Sequence, residues 1–282
     1  MKINWFPGHM KKNLDMVKKE VQDVDVIIYM LDARAPLSCI NPAFVKVIKN
    51  KPIIYAINKV DLVDKDTLSK FVQQLSKTSL SQVVLINATE SIVKNKIINA
   101  IQTSLSEKIN AFQAKGAKIT VKAMVIGVPN CGKSTLCNTL AGKTKAITGD
   151  KAGVTKSKQW IKVNPYVEVL DTPGTLWPNL NNIKVAENLA FIGSIKSEVL
   201  DNEQLCIMLV KRIAEIDKKS FEDKYKIIIE KDDDSVAIIE KIAFAKGLKI
   251  KGGEPDFDRT YTLILNDYKK GKITNKILDE IK

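Results

Sequence analysis

Gly127-Val-Pro-Asn-Cys-Gly-Lys-Ser134 has the form GxxxxGK[ST]. The apolar run Ala123–Ile126 precedes it and the helical run Thr135–Leu140 follows. A glycine-rich loop between a strand and a helix is the setting in which this motif binds phosphate. The N–H groups of Asn130, Cys131, Gly132, Lys133, Ser134 and Thr135 then cradle the phosphate oxygens, aided by the helix N-terminus. Gly132 allows the close approach. Lys133 reaches the β and γ phosphates, and the Ser134 hydroxyl serves Mg2+.

Two further motifs end apolar runs. Asp171-Thr-Pro-Gly174 follows Val167–Leu170; there a carboxylate meets Mg2+ and the Gly174 N–H meets the γ-phosphate. Between the two loops lies Gly153-Val-Thr155, where Thr155 is either a second Mg2+ hydroxyl or an ordinary loop threonine. Asn58-Lys59-Val60-Asp61 follows Pro52–Ile57. The Asp61 carboxylate accepts both guanine N1–H and the exocyclic amino group, a pairing adenine lacks. The Asn58 amide reaches the purine's far edge or ties its loop to the phosphate loop, and the Lys59 stem covers the ring face. Asn87-Ala88-Thr89, after Val83–Ile86, places an N–H for the guanine carbonyl.

These runs, with Val26–Leu31, are short and rich in Val and Ile, as buried parallel strands are. Helical stretches such as Asp66–Leu75 and Val93–Phe112 separate most of them, which predicts a doubly wound α/β sheet. Gln159–Val163 reads as one further, antiparallel strand. Beyond Pro178 the pattern turns helical at Lys184–Ile192, Asn202–Ile216, Ser235–Lys246 and Asp256–Lys270, with Gly247 and Gly271 at capping positions. The expected division is a nucleotide domain over 1–180 and an all-α domain over 181–282.

Composition bounds the partners. The 282 residues carry a net charge of +13, and residues 1–179 hold all of the excess, 26 basic groups to 13 acidic. Lysine-rich composition is one reading; a surface for polyanions, RNA foremost, is the other. Residues 9–22 read as an amphipathic helix whose polar face carries Lys11, Lys12, Lys18 and Lys19. No apolar run reaches the ~18 residues of a membrane span, and no signal-peptide core opens the chain. The four cysteines lack metal or disulfide spacing. A cytoplasmic monomer is expected.

In ordinary small GTPases the phosphate loop comes first. Here Asn58–Asp61 precedes it, and the chain leaves the sheet directly after Asp171–Gly174. That order, with Trp5-Phe6-Pro7-Gly8-His9-Met10 and the stretch from Asp171 to Pro178, resembles the circularly permuted bacterial GTPases, among them those of ribosome biogenesis, over nearly the whole chain. The resemblance implies GTP hydrolysis to GDP and phosphate, slow alone and stimulated by the large-subunit precursor. It implies ribosomal RNA contact by the helical domain, and a K+ held partly by Asn130 beside Mg2+. The family replaces the water-aligning glutamine with an apolar residue after the Asp-x-x-Gly glycine; here Thr175 stands there, then Leu176. Its guanine-contact Ser-Ala pair stands as Asn87-Ala88. His9, the only histidine, occupies the position of a proposed catalytic group; a residue that merely caps or packs at a helix start is the other reading. Two other classes remain: an ATP-driven phosphate-loop enzyme, opposed by Asp61, and a nucleotide-regulated RNA chaperone with little hydrolysis, opposed by the set Lys133, Ser134, Thr155 and Asp171.

Overall fold

Strand β1 (Val26–Asp32) is buried along its whole length, as an unbroken Val-Ile-Ile-Tyr-Met-Leu run requires of a strand covered on both faces. The computed structural model describes residues 8–78, 80–142, 159–178, 180–196 and 200–281, the His9 side chain excepted. Around β1 are β2 (Ile53–Asn58), β3 (Ser81–Leu85), β4 (Val121–Gly127), β5 (Gln159–Asn164) and β6 (Val167–Asp171), in the order β3-β2-β1-β4-β6-β5. All pairings are parallel except β5 with β6. The expected doubly wound sheet is thus present, with its antiparallel edge. The winding changes direction between β1 and β4, and the crevice outside the strand ends at such a point is where open α/β sheets bind ligands.

Helix α1 (Gly8–Glu20) buries Met10 and Val17 and exposes Lys11, Lys12, Lys18 and Lys19. Helix α2 (Pro42–Ile48) is too short to show periodicity in the sequence; Asn41 caps it by accepting from the Ala43 N–H, and Pro42 opens it. Helix α3 (Lys65–Leu75) is capped by Asp64. The expected helix Val93–Phe112 is two, α4 (Val93–Ser104) and α5 (Ser106–Gln113). The chain breaks at Leu105, whose side chain stays buried while α5 buries none. Helix α6 (Lys133–Ala141) follows the phosphate loop.

The helical region holds α7 (Ile183–Phe191), α8 (Asn202–Tyr225), α9 (Ser235–Ala245) and α10 (Phe257–Lys269). Helices α8, α9 and α10 pack on one another, and α7 packs on α8 and α10. Helix α8 outruns the expected end at Ile216 but kinks at Asp217 (φ −158°, ψ 58°). The Asp217 carboxylate accepts the Thr274 hydroxyl at 2.5 Å and also bonds Ser220, starting the helix afresh.

After α10 the chain returns to the sheet. The Asp64 N–H donates to Asn275 O and the Leu278 N–H to Arg34 O, both at 2.8 Å. Asp279 accepts from the N–H groups of Leu37 (2.6 Å) and Ser38 (2.9 Å), from Ser38 Oγ (2.5 Å) and from Asn188 Nδ2 on α7 (3.0 Å). The helical region is therefore fastened at both ends.

Gly247 (φ +66°) and Gly271 (φ +67°) follow α9 and α10 in left-handed conformation. A Cβ on Gly247 meets open space; one on Gly271 would lie 2.6 Å from Leu62 Cδ2 and 3.3 Å from Leu62 Cβ. Gly247→Ala is expected to cost about 1 kcal/mol, and Gly271→Ala roughly 2–3 kcal/mol because packing strain adds to backbone strain. Urea unfolding of the two variants measures the difference.

Candidate nucleotide site

The phosphate loop leaves β4 through Gly127 (φ 151°), where a Cβ would lie 2.6 Å from Met30 O on β1. Asn130 (φ 59°) and Gly132 (φ 101°) then turn the chain into α6. A Cβ on Gly132 would sit 2.2 Å from Asn58 Nδ2, so the glycine makes room for the neighbouring loop as well as for phosphate. The Lys133 ammonium is buried, donating to Val128 O at 2.8 Å with Cys131 Sγ at 3.8 Å.

Asn58, at the end of β2, ties three loops together. Its Nδ2 donates to Cys131 O at 2.9 Å, and its Oδ1 accepts the Ala88 N–H at 2.8 Å. Of the two roles foreseen for this amide, the structure displays the tie to the phosphate loop. Within the Asn87–Thr89 stretch expected to offer an N–H to a guanine carbonyl, the Ala88 N–H goes to Asn58, and Asn87 Oδ1 takes Thr89 Oγ1 at 2.7 Å and the Thr89 N–H at 3.3 Å. Thr139 on α6 donates to Ala88 O at 2.6 Å. Lys59 is left-handed (φ 64°); its ammonium donates to Asn130 O at 3.1 Å and pairs with Asp32 Oδ2 at 2.8 Å. Val60 and Asp61 form a short 3-10 turn, with Asp61 exposed at the rim.

At the end of β6, Asp171 Oδ2 accepts the Ser134 hydroxyl at 3.1 Å. Its Oδ1 is buried, with no hydrogen-bond partner among the described residues. Burial raises the carboxyl's pKa, while Lys133, Ser134, Cys137 and the Thr172 N–H pull the other way. A hydroxyl beside a carboxylate with an unsatisfied oxygen is a donor set of hard oxygens that fits Mg2+. Gly174 lies against the phosphate loop, where a Cβ would meet Pro129 Cα at 2.6 Å, Pro129 N at 2.8 Å and Lys133 Nζ at 3.0 Å. The Thr175 N–H donates to Gly127 O at 3.2 Å. Thr175 is fully buried and its hydroxyl donates to Pro173 O at 3.1 Å, so it is committed to backbone.

The loops after β1, β2, β3, β4 and β6 therefore meet along one edge of the sheet, bringing Asn58–Asp61, Asn87–Ala88, Asn130–Thr135, Asp171 and Gly174 together. Thr155 lies outside the described residues, as do Trp5 to Pro7 and the side chain of His9; the His9 backbone is in the first turn of α1.

Sequence reading passed over Asp32 and Arg34. Both are buried, Arg34 Nε and Nη2 donating to the Asp32 carboxylate at 2.9 and 2.7 Å. Burial alone would raise the Asp32 pKa, but Arg34 and then Lys59 hold it well below the usual carboxylate range. Arg34 also donates to the last carbonyls of α10, Lys269 O at 3.0 Å and Tyr268 O at 3.4 Å, and to Ile192 O at 3.5 Å beyond α7. A cation at a helix C-terminus satisfies carbonyls the helix cannot. Two more bonds join the phosphate loop to the turn after α7: Asn130 Nδ2 to Gly193 O at 2.7 Å and Ser194 Oγ to Pro129 O at 2.8 Å. The one signal in the sequence was an acid ending the most apolar strand with an arginine two residues on; nothing in it marked their partners.

Phosphate loop, guanine-type loop and Asp-x-x-Gly loop, converging in permuted chain order, define a GTPase. A family model described as 50S ribosome-binding GTPase matches residues 122–241, and one described as ethanolamine utilisation - propanediol utilisation matches 7–104. Ribosome biogenesis GTPase A of Bacillus licheniformis is 34% identical over 96% of each chain. That of Bacillus cereus is 36% identical over 97% of this chain and 92% of its own. The GNP-bound YlqF of T. maritima superposes with a TM-score of 0.65 at 24% identity, over 96% of this chain and 100% of that one; a GDP-bound YlqF gives 0.65 at 23%, over 94% and 98%. These two structures share the fold. The chain belongs to the ribosome biogenesis GTPase A family. It is a GTP-hydrolysing enzyme, and Mg2+ dependence comes with the family. Among the described residues no helix is long and apolar enough to cross a membrane.

Two outcomes are expected. Gly174→Ala pushes the Asp-x-x-Gly loop off Pro129 and weakens GTP-analogue binding at least about tenfold, with a smaller effect on GDP, which lacks the γ-phosphate; titration calorimetry measures both. Arg34→Gln leaves the buried Asp32 carboxylate with only Lys59 of its two cations and costs roughly 3 kcal/mol at neutral pH. Because the folded pKa of Asp32 is depressed, the pair's contribution is present above the usual carboxylate range and is lost as the pH falls below it. The gap between parent and variant in urea therefore narrows in acid.

Proposed function

We propose that this GTPase binds the precursor of the large ribosomal subunit and hydrolyses GTP on it, with the 1–180 region holding nucleotide and the 181–282 region, clasped by its returning tail, meeting ribosomal RNA. The observation that carries the nucleotide part is the direct bond from Asn58 to Cys131 O: the loop that selects the base is built onto the loop that holds the phosphates. Asp61 selects guanine by its two acceptor oxygens. The phosphate loop N–H groups from Asn130 to Thr135 hold the phosphates, and Lys133 turns from Val128 O to the β and γ oxygens. Ser134 and Asp171 hold Mg2+, with Thr155 as a further hydroxyl; when bound, the ion neutralises charge developing on the phosphates. Asn130 offers an amide oxygen, a ligand that K+ accepts. Its amide nitrogen is bonded to Gly193 O, which fixes the side chain's orientation.

Thr175 has given its hydroxyl to Pro173 O, so an outside group must order the attacking water. His9, at the start of α1, is that group in this reading, acting once the particle is bound. The exposed lysines of α1 face polyanions, as do Lys219 and Lys270 in the helical region. A cytoplasmic monomer with no membrane attachment completes the reading.

Turnover of GTP, alone and with purified large-subunit particles, in potassium and in sodium, tests this. Strong stimulation by particles in potassium only is expected, with His9→Ala losing most of it at unchanged GTP affinity, and particle binding falling steeply with salt. Nucleotide binding without stimulation would favour a nucleotide-regulated RNA chaperone instead. Asp61→Asn should lose guanine nucleotides and gain xanthine ones, because the amide N–H can donate to the extra carbonyl; unchanged guanine binding would remove Asp61 from the site.

A further inference from the structure

Among the described residues the side-chain partners of Asp32 are Arg34 and Lys59, and through Lys59 its carboxylate is joined to the phosphate loop at Asn130 O. Lys59 is a flexible side chain with about 2 kcal/mol of rotamer entropy to lose. Its ammonium is fixed by two partners, Asp32 Oδ2 at 2.8 Å and Asn130 O at 3.1 Å. The carbonyl is a neutral acceptor; the carboxylate is charged, and charge-assisted bonds are roughly twice as strong. The carboxylate is itself immobile. It is fully buried, and Arg34 grips both of its oxygens. The Arg34 N–H also donates to Asp32 Oδ1 at 3.1 Å, closing a tight local turn around the acid.

We infer that Asp32 is a positioning residue for guanine-nucleotide binding, acting through Lys59: it holds the ammonium against Asn130 O so that the aliphatic stem lies across the base site before nucleotide arrives. The inference rests on reading Asn58–Asp61 as the guanine loop. Nucleotide then meets a stem already ordered, which lowers the entropy lost on binding. Arg34 serves Asp32 from the other side, and it is anchored on Lys269 O and Ile192 O. The ends of α7 and α10 thereby form part of the rigid backing of the guanine loop.

The test is a double-mutant cycle read as GDP affinity in the full-length protein. Lys59→Met keeps the stem and removes the ammonium; in the parent it should weaken GDP about tenfold. Asp32→Asn alone should weaken GDP by a similar factor, and adding Lys59→Met to it should change affinity less than about twofold. If Asp32→Asn fails to fold because Arg34 is left unpaired, the neutral pair Asp32→Asn with Arg34→Gln takes its place, with and without Lys59→Met, and the same loss of the lysine effect is expected. Unchanged GDP affinity in the Asp32→Asn protein, or a full tenfold Lys59→Met effect in its background, overturns the inference. A parent protein that binds GDP no more tightly than ADP overturns the guanine-loop reading, and this inference with it. A clear GDP preference combined with additive effects overturns this inference alone.

Discussion

A carboxylate with no exposure to solvent is stable only if cations share it. Asp32 meets that condition with two, one from each direction. Lys59 comes from the loop after β2. Arg34 comes from its own turn and carries on to the helix ends of the C-terminal region. Arg34 does not suit its place without the acid, since its guanidinium is buried too. The ion pair is a constraint more than a source of net stability: a buried pair gives back in desolvation much of what it gains in attraction. What it secures is a unique arrangement of three chain segments around the end of β1.

That arrangement explains how a permuted chain keeps a working site. The sheet needs only its strand ends to converge, whatever the order of the strands in the chain. The guanine-type loop and the phosphate loop lie on separate stretches, with α3, β3, α4 and α5 between them. Asn58 to Cys131 O and Lys59 to Asn130 O join the two across the winding switch. Permutation also leaves the Asp171–Gly174 loop leading directly toward α7. The turn after α7 touches the phosphate loop at Pro129 and Asn130, so the helical region is linked to the site by chain continuity and again by side-chain bonds. If nucleotide shifts the phosphate loop, the turn bonded to it must respond, and linkage would make that coupling reciprocal.

Strands β2, β3, β4 and β6 were legible because each is an apolar run ending at a motif, and the Asn58, Gly132, Ser134, Asp171 and Gly174 positions followed from motif chemistry. Helix α2 was hidden by its length, since seven residues do not establish a period. The division of α4 from α5 was hidden because Leu105 continues the apolar pattern while the backbone turns. The kink at Asp217 depends on Thr274, 57 residues away, a contact no local pattern encodes. The partners of Arg34 were illegible for the same reason: at Lys269 and Ile192 they are backbone carbonyls, which carry no sequence signature. The stretch Asn87–Thr89 was read as offering an N–H to guanine from its place at a strand end; the Ala88 N–H itself goes to Asn58, a tie between loops that no local pattern encodes.

Hydrogen exchange at the fastening points, with and without GDP, tests the central claim that site and helical region are one coupled body. The relevant amides are Leu37 and Ser38, bonded to Asp279, Leu278, bonded to Arg34 O, and Asp64, bonded to Asn275 O. Coupling through Asp32 and Asn130 predicts that GDP slows exchange at all four, although none belongs to a nucleotide motif. Slowing confined to residues 58–61 and 127–135, with these four unchanged, would contradict it.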